Sequence, residues 1–254
     1  MEDDSDYVKV TPQKMGMMWD NAQFLGVIIA IVAVIITLII FALYKKGQSK
    51  RNGVLLLGLS DSGKTLIFAQ LLHGKFVHTH TSVKENIGDY ITKNSLFKIV
   101  DIPGHERLRG RFFDTFKSSA KGLVFVIDSG RIQKDVKDVA EYLYNCLSDS
   151  VIKRNLPSLL ILCNKQDEPL AKGSAVIKTM LEKEINILRT TKTSQLMSIE
   201  NTVNQVYLGK EGKDFEFSHL SPMRIDFGES CAVIQTDDSP VNIKDLTEWI
   251  NSIR

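Results

Sequence analysis

Apolar residues follow two different patterns along this chain. Residues 24–44 form one run of 21 positions without a charged side chain. From residue 53 onward, short apolar runs of strand length alternate with longer segments in which apolar residues recur every three or four positions. Such alternation is typical of an α/β domain, in which a mostly parallel sheet is covered by helices on both faces. The chain is therefore predicted to have two parts of different construction.

The second part is predicted to contain six strands and five helices. The strands are predicted at residues 53–58, 87–92, 95–101, 122–128, 157–163 and 224–228. The helices are predicted at residues 63–73, 106–119, 133–150, 174–189 and 241–252. Residues 191–222 follow neither period, so they are predicted to be a partly disordered insertion, with Phe215 and Phe217 packed on the domain.

The uncharged run at residues 24–44 is predicted to be a transmembrane helix. Its 21 positions make a helix roughly 30 Å long, which matches the hydrocarbon core of a bilayer. A cleaved signal peptide begins with positive charge, whereas this chain begins MEDDSD. Two Lys/Arg residues precede the run and four follow it at 45–51, which predicts a cytosolic C-terminal side. The predicted order is an acidic tail (1–23), the span (24–44), a basic linker (45–52) and a cytosolic domain (53–254).

Composition narrows the class of the cytosolic domain. The formal net charge of the 254 residues is +2, which argues against a basic protein that binds nucleic acid directly. Cysteines occur at three distant positions, 146, 163 and 231, a number and spacing that exclude a disulfide scaffold or a zinc finger. These values are typical of a globular cytosolic domain whose cysteines are reduced.

A phosphate-binding loop is predicted directly after the first strand. Residues 58–65, GLSDSGKT, match the pattern GxxxxGK[ST] between the strand GVLLL and the helix TLIFAQLL. The loop amides and the helix N-terminus attract phosphate, Lys64 reaches the β- and γ-phosphates, and the Thr65 hydroxyl binds Mg²⁺. The predicted phosphate-binding residues are Gly58, Ser60, Asp61, Ser62, Gly63, Lys64, Thr65 and Leu66.

Two further motifs predict which nucleotide is bound. Asp101, at the end of a strand and followed by Ile-Pro-Gly104, is placed to hold Mg²⁺ through water, while the Gly104 amide approaches the γ-phosphate. After another strand, Asn164-Lys165-Gln166-Asp167 predicts guanine recognition, because the carboxylate accepts bonds from two groups that adenine lacks. In this hypothesis Asn164 contacts the base edge and the Lys165 stem lies over the ring. GTP is therefore favoured over ATP.

In this order the motifs resemble those of the small GTPase superfamily. The resemblance implies two further nucleotide-binding elements. Guanine recognition in that superfamily ends in a Ser-Ala pair, and Ser230-Cys231-Ala232 follows the last predicted strand, with Val233 where the family carries Lys. In Arf-like members a switch-one Thr lies 17 residues after the phosphate-loop Thr. The same spacing reaches Ser82 here, with Thr81 as the neighbouring candidate for the Mg²⁺ ligand.

The span, the Arf-sized domain, the string DIPGHERLR and the late segment DFEFS together resemble the β-subunit family of the signal recognition particle receptor. The resemblance implies a heterodimer in the endoplasmic reticulum membrane, with the N-terminus in the lumen and the P-loop GTPase domain in the cytosol. It also implies that the GTP-bound switch regions, around Ser82 and residues 104–111, hold the receptor α subunit and serve the translocon indirectly. The arginines 107, 109 and 111 are predicted contacts.

His105 stands where Ras-like and Arf-like members carry a water-orienting Gln, so it is the candidate catalytic residue of a slow GTPase. Three alternatives stay open at this point. One is an Arf-like trafficking switch with its own hydrolysis cycle, although such switches use lipid anchors that leave the membrane. The second is a scaffold with a decayed nucleotide site, against which the intact Lys64 and Asp167 argue. The third is a P-loop kinase, which would leave the Asn-Lys-Gln-Asp run and the loop at Ala232 unexplained.

Overall fold

The structure, a computed structural model, describes residues 21–47, 51–93, 95–197, 208–233 and 241–253. The chain divides into two compact units, Met1–Ser49 and Lys50–Arg254. In the first unit the structure describes residues 21–47, which form helix α1, Asn21–Gly47. The second unit contains the sheet and the other helices that the structure describes.

Helix α1 carries an almost entirely apolar sequence. Its side chains are described at residues 26 and 28–40, and the large ones among these are about half exposed, such as Ile28 at 55% and Leu38 at 61%. The hydroxyl of Thr37 donates to the carbonyl oxygen of Val34 at 2.8 Å, so this polar group is satisfied within the helix. Within the described residues, no helix has the combined length and apolar character that crossing a membrane needs.

The second unit is built on one six-stranded sheet, as the sequence predicts. Its strands are β1 Gly53–Leu57, β2 Asn86–Ile91, β3 Leu96–Asp101, β4 Ala120–Asp128, β5 Ser158–Asn164 and β6 Ile225–Glu229. They lie in the order β2-β3-β1-β4-β5-β6, and only the pair β2–β3 is antiparallel among these neighbours. Each strand boundary lies within two residues of its predicted position.

The helices of this unit are α2 Lys64–His73, α3 Glu106–Phe116, α4 Ile132–Ser148, α5 Ser150–Asn155, α6 Ser174–Met197 and α7 Lys244–Ser252. The helix predicted at 133–150 ends earlier than expected, at Ser148, because Asp149 adopts an extended conformation. The Asp149 carboxylate accepts hydrogen bonds from the amides of Val151 and Ile152 at 2.8 and 3.2 Å, so it caps a separate helix. Likewise, the predicted helix 106–119 continues after Phe116 as a 3₁₀ turn.

Both faces of the sheet are covered, which explains the unbroken apolar runs of its strands. In β1, Leu55 and Leu57 face a core that includes residues of α3, α4, α5 and α6. Their neighbours Val54 and Leu56 point to the opposite face and pack in a core with α2 and α7. Successive strand side chains alternate between faces, so one apolar strand supplies both cores.

Two parts of the insertion predicted at 191–222 are described by the structure, residues 191–197 and 208–222. Helix α6 continues to Met197, eight residues beyond its predicted end, and in this part Lys192 donates to Asn145 Oδ1 of α4 at 2.9 Å. Phe215 and Phe217 are 2% and 4% exposed, which confirms that they pack on the domain. Residues 198–207, where disorder was also predicted, lie outside the described residues.

The parallel strands end at one edge of the sheet, and the predicted site residues follow those ends. Residues 58–63 connect β1 to α2, Asp101 ends β3, and Asn164 ends β5. Ser230 follows β6 at the same edge. In open α/β sheets ligands bind at this edge, so the topology brings the separate motifs together.

Candidate functional site

The loop after β1 has a conformation that its glycines permit. Gly58 has φ 142°, and a Cβ atom there would lie 2.2 Å from the carbonyl oxygen of Val126. Gly63 has φ 91° and precedes the first residue of α2. Glycine adopts such positive φ values without steric cost. Between them, Asp61 takes a left-handed φ of 61°, so the backbone wraps tightly toward the helix N-terminus.

Lys64 lies inside this loop as a buried cation. Its side-chain amine donates to the Leu59 carbonyl at 2.5 Å and to Ser62 Oγ at 3.3 Å, and the residue is 5% exposed. Burial lowers the pKa of Lys64 to about 8, against the opposing attraction of Asp101 and Asp61. A bound phosphate would supply the counter-charge that a buried ammonium lacks.

Oxygen atoms from three motifs converge at the start of α2. The Thr65 hydroxyl donates to Asp101 Oδ2 at 2.7 Å and lies 3.1 Å from Ser82 Oγ. Asn86, on β2, donates to the same carboxylate oxygen at 3.0 Å. The other oxygen, Asp101 Oδ1, is buried without a hydrogen-bond partner among the described residues. Hydroxyl and carboxylate oxygens are the ligands that Mg²⁺ prefers, so these residues fit that ion.

Opposing effects act on the pKa of the Asp101 carboxyl. Burial raises the pKa of Asp101, while hydrogen bonds from Asn86 and Thr65 and the nearby Lys64 charge act in the opposite direction. The residue is fully buried. A divalent cation close to Oδ1 would favour the ionised carboxylate, as a nearby positive charge does.

The turn after β3 packs directly on the phosphate loop. A Cβ atom at Gly104 would lie 2.6 Å from the Leu59 carbonyl carbon and from the Ser60 nitrogen. Only glycine allows this approach of two backbones. Between the loop, the turn and the segment before β2 lies an open cleft, lined by Ser60, Asp61, Gly63, Lys64, Thr65, Thr79, His80, Thr81, Ser82, Ile102, Pro103 and Gly104.

His105 lies outside that cleft lining. It is the N-cap residue of α3, where its Nδ1 accepts a hydrogen bond from the Arg107 amide at 3.3 Å, and it is exposed. Of the arginines predicted to contact a partner, Arg107 and Arg111 are exposed, whereas the Arg109 guanidinium stacks 4.5 Å from the centre of the Tyr142 ring. The start of α3 therefore presents two exposed arginines, and a third arginine that packs on Tyr142 of α4.

The predicted base-recognition residues are brought together by a buried amide. Asn164 is 2% exposed; its Nδ2 donates to the Ser62 carbonyl at 2.9 Å, and its Oδ1 accepts from Ser230 Oγ at 3.0 Å. A Cβ atom at Gly63 would lie 2.3 Å from that same Nδ2. Asn164 thus links the phosphate loop to the loop after β6, a role that the predicted contact with the base edge did not include.

Asp167 and the loop after β6 lie next to each other. Burial raises the pKa of the Cys231 thiol, and a hydrogen bond with the Asp167 side chain acts in the same direction. Ala232 is buried, and its carbonyl accepts from Gln70 Nε2 of α2 at 3.3 Å. Cys231 forms a two-bond bridge with Asn242, at 2.9 Å in each direction, which holds the loop in place.

Several residues of the site were missed by the sequence analysis. Asn86 and Gln70 support Asp101 and Ala232, and Asp128, at the end of β4, accepts a bond from Lys165 Nζ at 2.6 Å. Asp128 could have been found, because it is a polar residue that closes an apolar strand at the same edge as Asp101 and Asn164. No comparable signal marks Asn86 or Gln70, since their roles depend on neighbours distant in sequence.

A mostly parallel sheet with a phosphate loop, an Asp-x-Pro-Gly turn and an Asn-Lys-Gln-Asp segment at one edge defines the small GTPase fold. The family model described as signal recognition particle receptor beta subunit matches residues 49–223. The human signal recognition particle receptor subunit beta is 43% identical over 238 residues, covering 92% of this chain and 88% of the human one. The chain belongs to the signal recognition particle receptor beta subunit family.

Solved structures agree with this assignment. The structure of the mammalian SRP receptor covers 80% of this chain and 100% of its own matched chain, with a TM-score of 0.69 and 43% identity. The SRb-GTP/SRX complex from Chaetomium thermophilum covers 78% of this chain and 96% of its own matched chain, with a TM-score of 0.60 and 20% identity. The second likeness concerns the fold alone.

Proposed function

We propose that this chain binds GTP with Mg²⁺ and thereby holds the receptor α subunit at the endoplasmic reticulum membrane. The observation that carries the proposal is the position of the Thr65 hydroxyl, which lies 2.7 Å from Asp101 Oδ2 and 3.1 Å from Ser82 Oγ. This places a switch-one hydroxyl beside the phosphate-loop hydroxyl, so a metal ion and a γ-phosphate would order both segments together.

The proposed nucleotide lies along the carboxyl edge of the sheet. The loop amides of 58–63 and the Lys64 ammonium hold the phosphates, with Leu66 in the first turn of α2. Thr65 and Ser82 are the proposed direct Mg²⁺ ligands, and Asp101 acts through water. Ser82 is proposed rather than Thr81 because its hydroxyl is the one that contacts Thr65.

At the other end of the site, Asp167 is proposed to read the guanine edge, with Lys165 over the ring and the Ala232 amide toward the base oxygen. Asn164 supports these residues by its bonds to Ser62 and Ser230. To test this, the nucleotide released from the denatured protein is identified by chromatography. Guanine nucleotide is expected; adenine nucleotide, or none, would refute the proposal.

The proposed partner surface is formed by the two segments that contact the phosphate site. The Gly104 turn lies on the phosphate loop, and the exposed Arg107 and Arg111 follow it in α3. Support comes from the family and from the fungal protein of the same fold, described as an SRb-GTP/SRX complex. Order in these segments would then depend on the third phosphate.

Slow hydrolysis is part of the proposal. The imidazole of His105 caps α3 and lies outside the cleft lining, so it is poorly placed to orient an attacking water without rearrangement. Single-turnover hydrolysis by the unmodified protein and by His105→Gln measures this. The glutamine variant is expected to hydrolyse GTP faster than the unmodified protein. Fast hydrolysis by the unmodified protein without any added factor would contradict the proposed slow hydrolysis.

Anchoring by residues 24–44 completes the proposal. Its support is the uncharged run of 21 residues in the sequence, together with the exposed apolar side chains described within that run, such as Ile29 and Leu38. In this proposal the domain that follows lies in the cytosol and the tail at 1–23 lies in the lumen. Resistance of the full chain to extraction from membranes by alkaline carbonate tests the anchor; complete release would contradict it.

A further inference from the structure

The ammonium group of Lys165 lies between two carboxylates. Its Nζ is 2.6 Å from Asp128 Oδ2 and 3.8 Å from Glu168 Oε1. The side chain of Asp128 is 10% exposed and that of Lys165 is 25% exposed, so the closer pair is largely shielded from water. An ion pair in such a setting is screened less than one on the surface. The tip of the lysine is thus held at a defined place.

The Asp128 carboxylate is itself fixed by the main chain. Its second oxygen, Oδ1, accepts hydrogen bonds from the amides of Gly130 and Arg131, both at 3.0 Å. Asp128 also pairs with Asn164 across β4 and β5, which places it beside the start of the base-recognition segment. One carboxylate therefore ties the turn before α4 to the lysine.

The other end of the lysine is fixed as well. Lys165 has a left-handed φ of 62°, and the carbonyl of the preceding Asn164 accepts a bond from the Ser129 amide at 3.0 Å. The Glu168 side chain lies directly against the turn before α4, since a Cβ atom at Gly130 would lie 1.9 Å from Glu168 Oε2. The four-carbon stem is consequently stretched between two fixed points.

We propose that Asp128 is a positioning residue for the guanine base, acting through Lys165. This inference rests on the proposed base recognition, in which the Lys165 stem covers one face of the ring. A free lysine side chain loses several rotamers when it is ordered against a ligand. Because Asp128 already orders the Lys165 side chain in the free protein, less conformational entropy is lost when the guanine ring binds against it.

The central variant is Asp128→Asn. Asparagine retains an oxygen for the amides of Gly130 and Arg131, but it offers no carboxylate to the Lys165 ammonium. The dissociation constant for GDP is expected to rise about tenfold. Ser129→Ala is the matched control, because it removes the acceptor of Gln166 Nε2 in the same turn and leaves Lys165 untouched.

A double-mutant cycle separates positioning from general damage to the turn. The GDP dissociation constant is measured for the unmodified full chain, Asp128→Asn, Lys165→Met and the double variant. If Asp128 acts through Lys165, Asp128→Asn should change the constant by less than about twofold in the Lys165→Met background. A full tenfold effect in that background, or an equal effect of Ser129→Ala, overturns the inference.

The same titrations separate this inference from the proposal beneath it. Asp167→Asn should shift preference from GDP toward XDP, whose ring presents a carbonyl in place of the exocyclic amine. If preference does not shift, base recognition is wrong; if it shifts while the cycle is additive, only positioning is wrong. Should Asp128→Asn not fold, Lys165→Arg, which keeps the ion pair, must bind GDP at least about fivefold more tightly than Lys165→Met. Equal affinities there also overturn the inference.

Discussion

The contact between Gly104 and the phosphate loop can be tested by adding a single methyl group. In Gly104→Ala the new Cβ would lie 2.6 Å from the Leu59 carbonyl carbon and from the Ser60 nitrogen. Both are backbone atoms, so no flexible side chain can move aside. The turn must withdraw from the loop, and its amide is carried away from the position of a γ-phosphate.

The size of the effect follows from the bond that is lost. A hydrogen bond to a charged group contributes about 1.5–3 kcal/mol, so withdrawal of the Gly104 amide should weaken GTP binding roughly 10- to 100-fold. GDP has no γ-phosphate, and its affinity should stay within about twofold of the unmodified protein. Competition titrations against a fluorescent GDP analogue measure both constants. The ratio of the two constants is the quantity of interest, since general damage lowers both affinities.

Gly110→Ala is the matched control. Gly110 lies in α3, only six positions further along, and a Cβ atom there meets nothing within 4 Å. Alanine should stabilise this helix by roughly 1 kcal/mol and leave nucleotide affinity unchanged. The reasoning is refuted if Gly104→Ala preserves the GTP-to-GDP affinity ratio, or if Gly110→Ala lowers it equally.

Three more changes test other parts of the account. Burial lowers the pKa of Lys64 to about 8, and a bound phosphate favours its charged form, so GDP binding near pH 9 should take up a proton and weaken as the pH rises. Calorimetry in two buffers of different ionisation enthalpy measures this proton uptake. Identical binding heats in the two buffers would contradict it. Asp101→Asn should reduce the acceleration of GDP release by EDTA, whereas an acceleration as large as in the unmodified protein would contradict its role at the metal. Phe217→Ala should lower the free energy of unfolding by about 3 kcal/mol in urea titrations, and Phe76→Ala, at a residue 42% exposed, should cost far less; equal losses would show that Phe217 is not core.

Much of this architecture was predictable because a sheet buried on both faces leaves a strong sequence signal. Strands such as β1 and β5 are almost wholly apolar, so their positions could be predicted to within two residues. The phosphate loop was recognisable for a related reason, since its glycines and Lys64 must follow one another at fixed spacing. These features depend on neighbours in the sequence.

The features that were missed depend on neighbours in space. The end of the helix at 133–150 was misplaced because a run of helical periodicity continues through Asp149, whose side chain caps the next helix instead. Helix α6 was predicted too short because the residues after 190 follow no helical period, whereas the structure has a contact between helices there, from Lys192 to Asn145. Asp128 and Asn86 act on Lys165 and Asp101 from other strands, and their partners emerge only when the sheet is assembled.

In the proposed function, the third phosphate of GTP controls attachment of the receptor α subunit. The most direct measurement is capture of the α subunit by the membrane-embedded full chain, loaded with GDP or with a non-hydrolysable GTP analogue, beside a Thr65→Asn variant that lacks the hydroxyl contacting Asp101 and Ser82. The account predicts capture with the GTP analogue, little capture with GDP, and little capture by the variant in either state. Equal capture in both nucleotide states, or undiminished capture by Thr65→Asn, would contradict it.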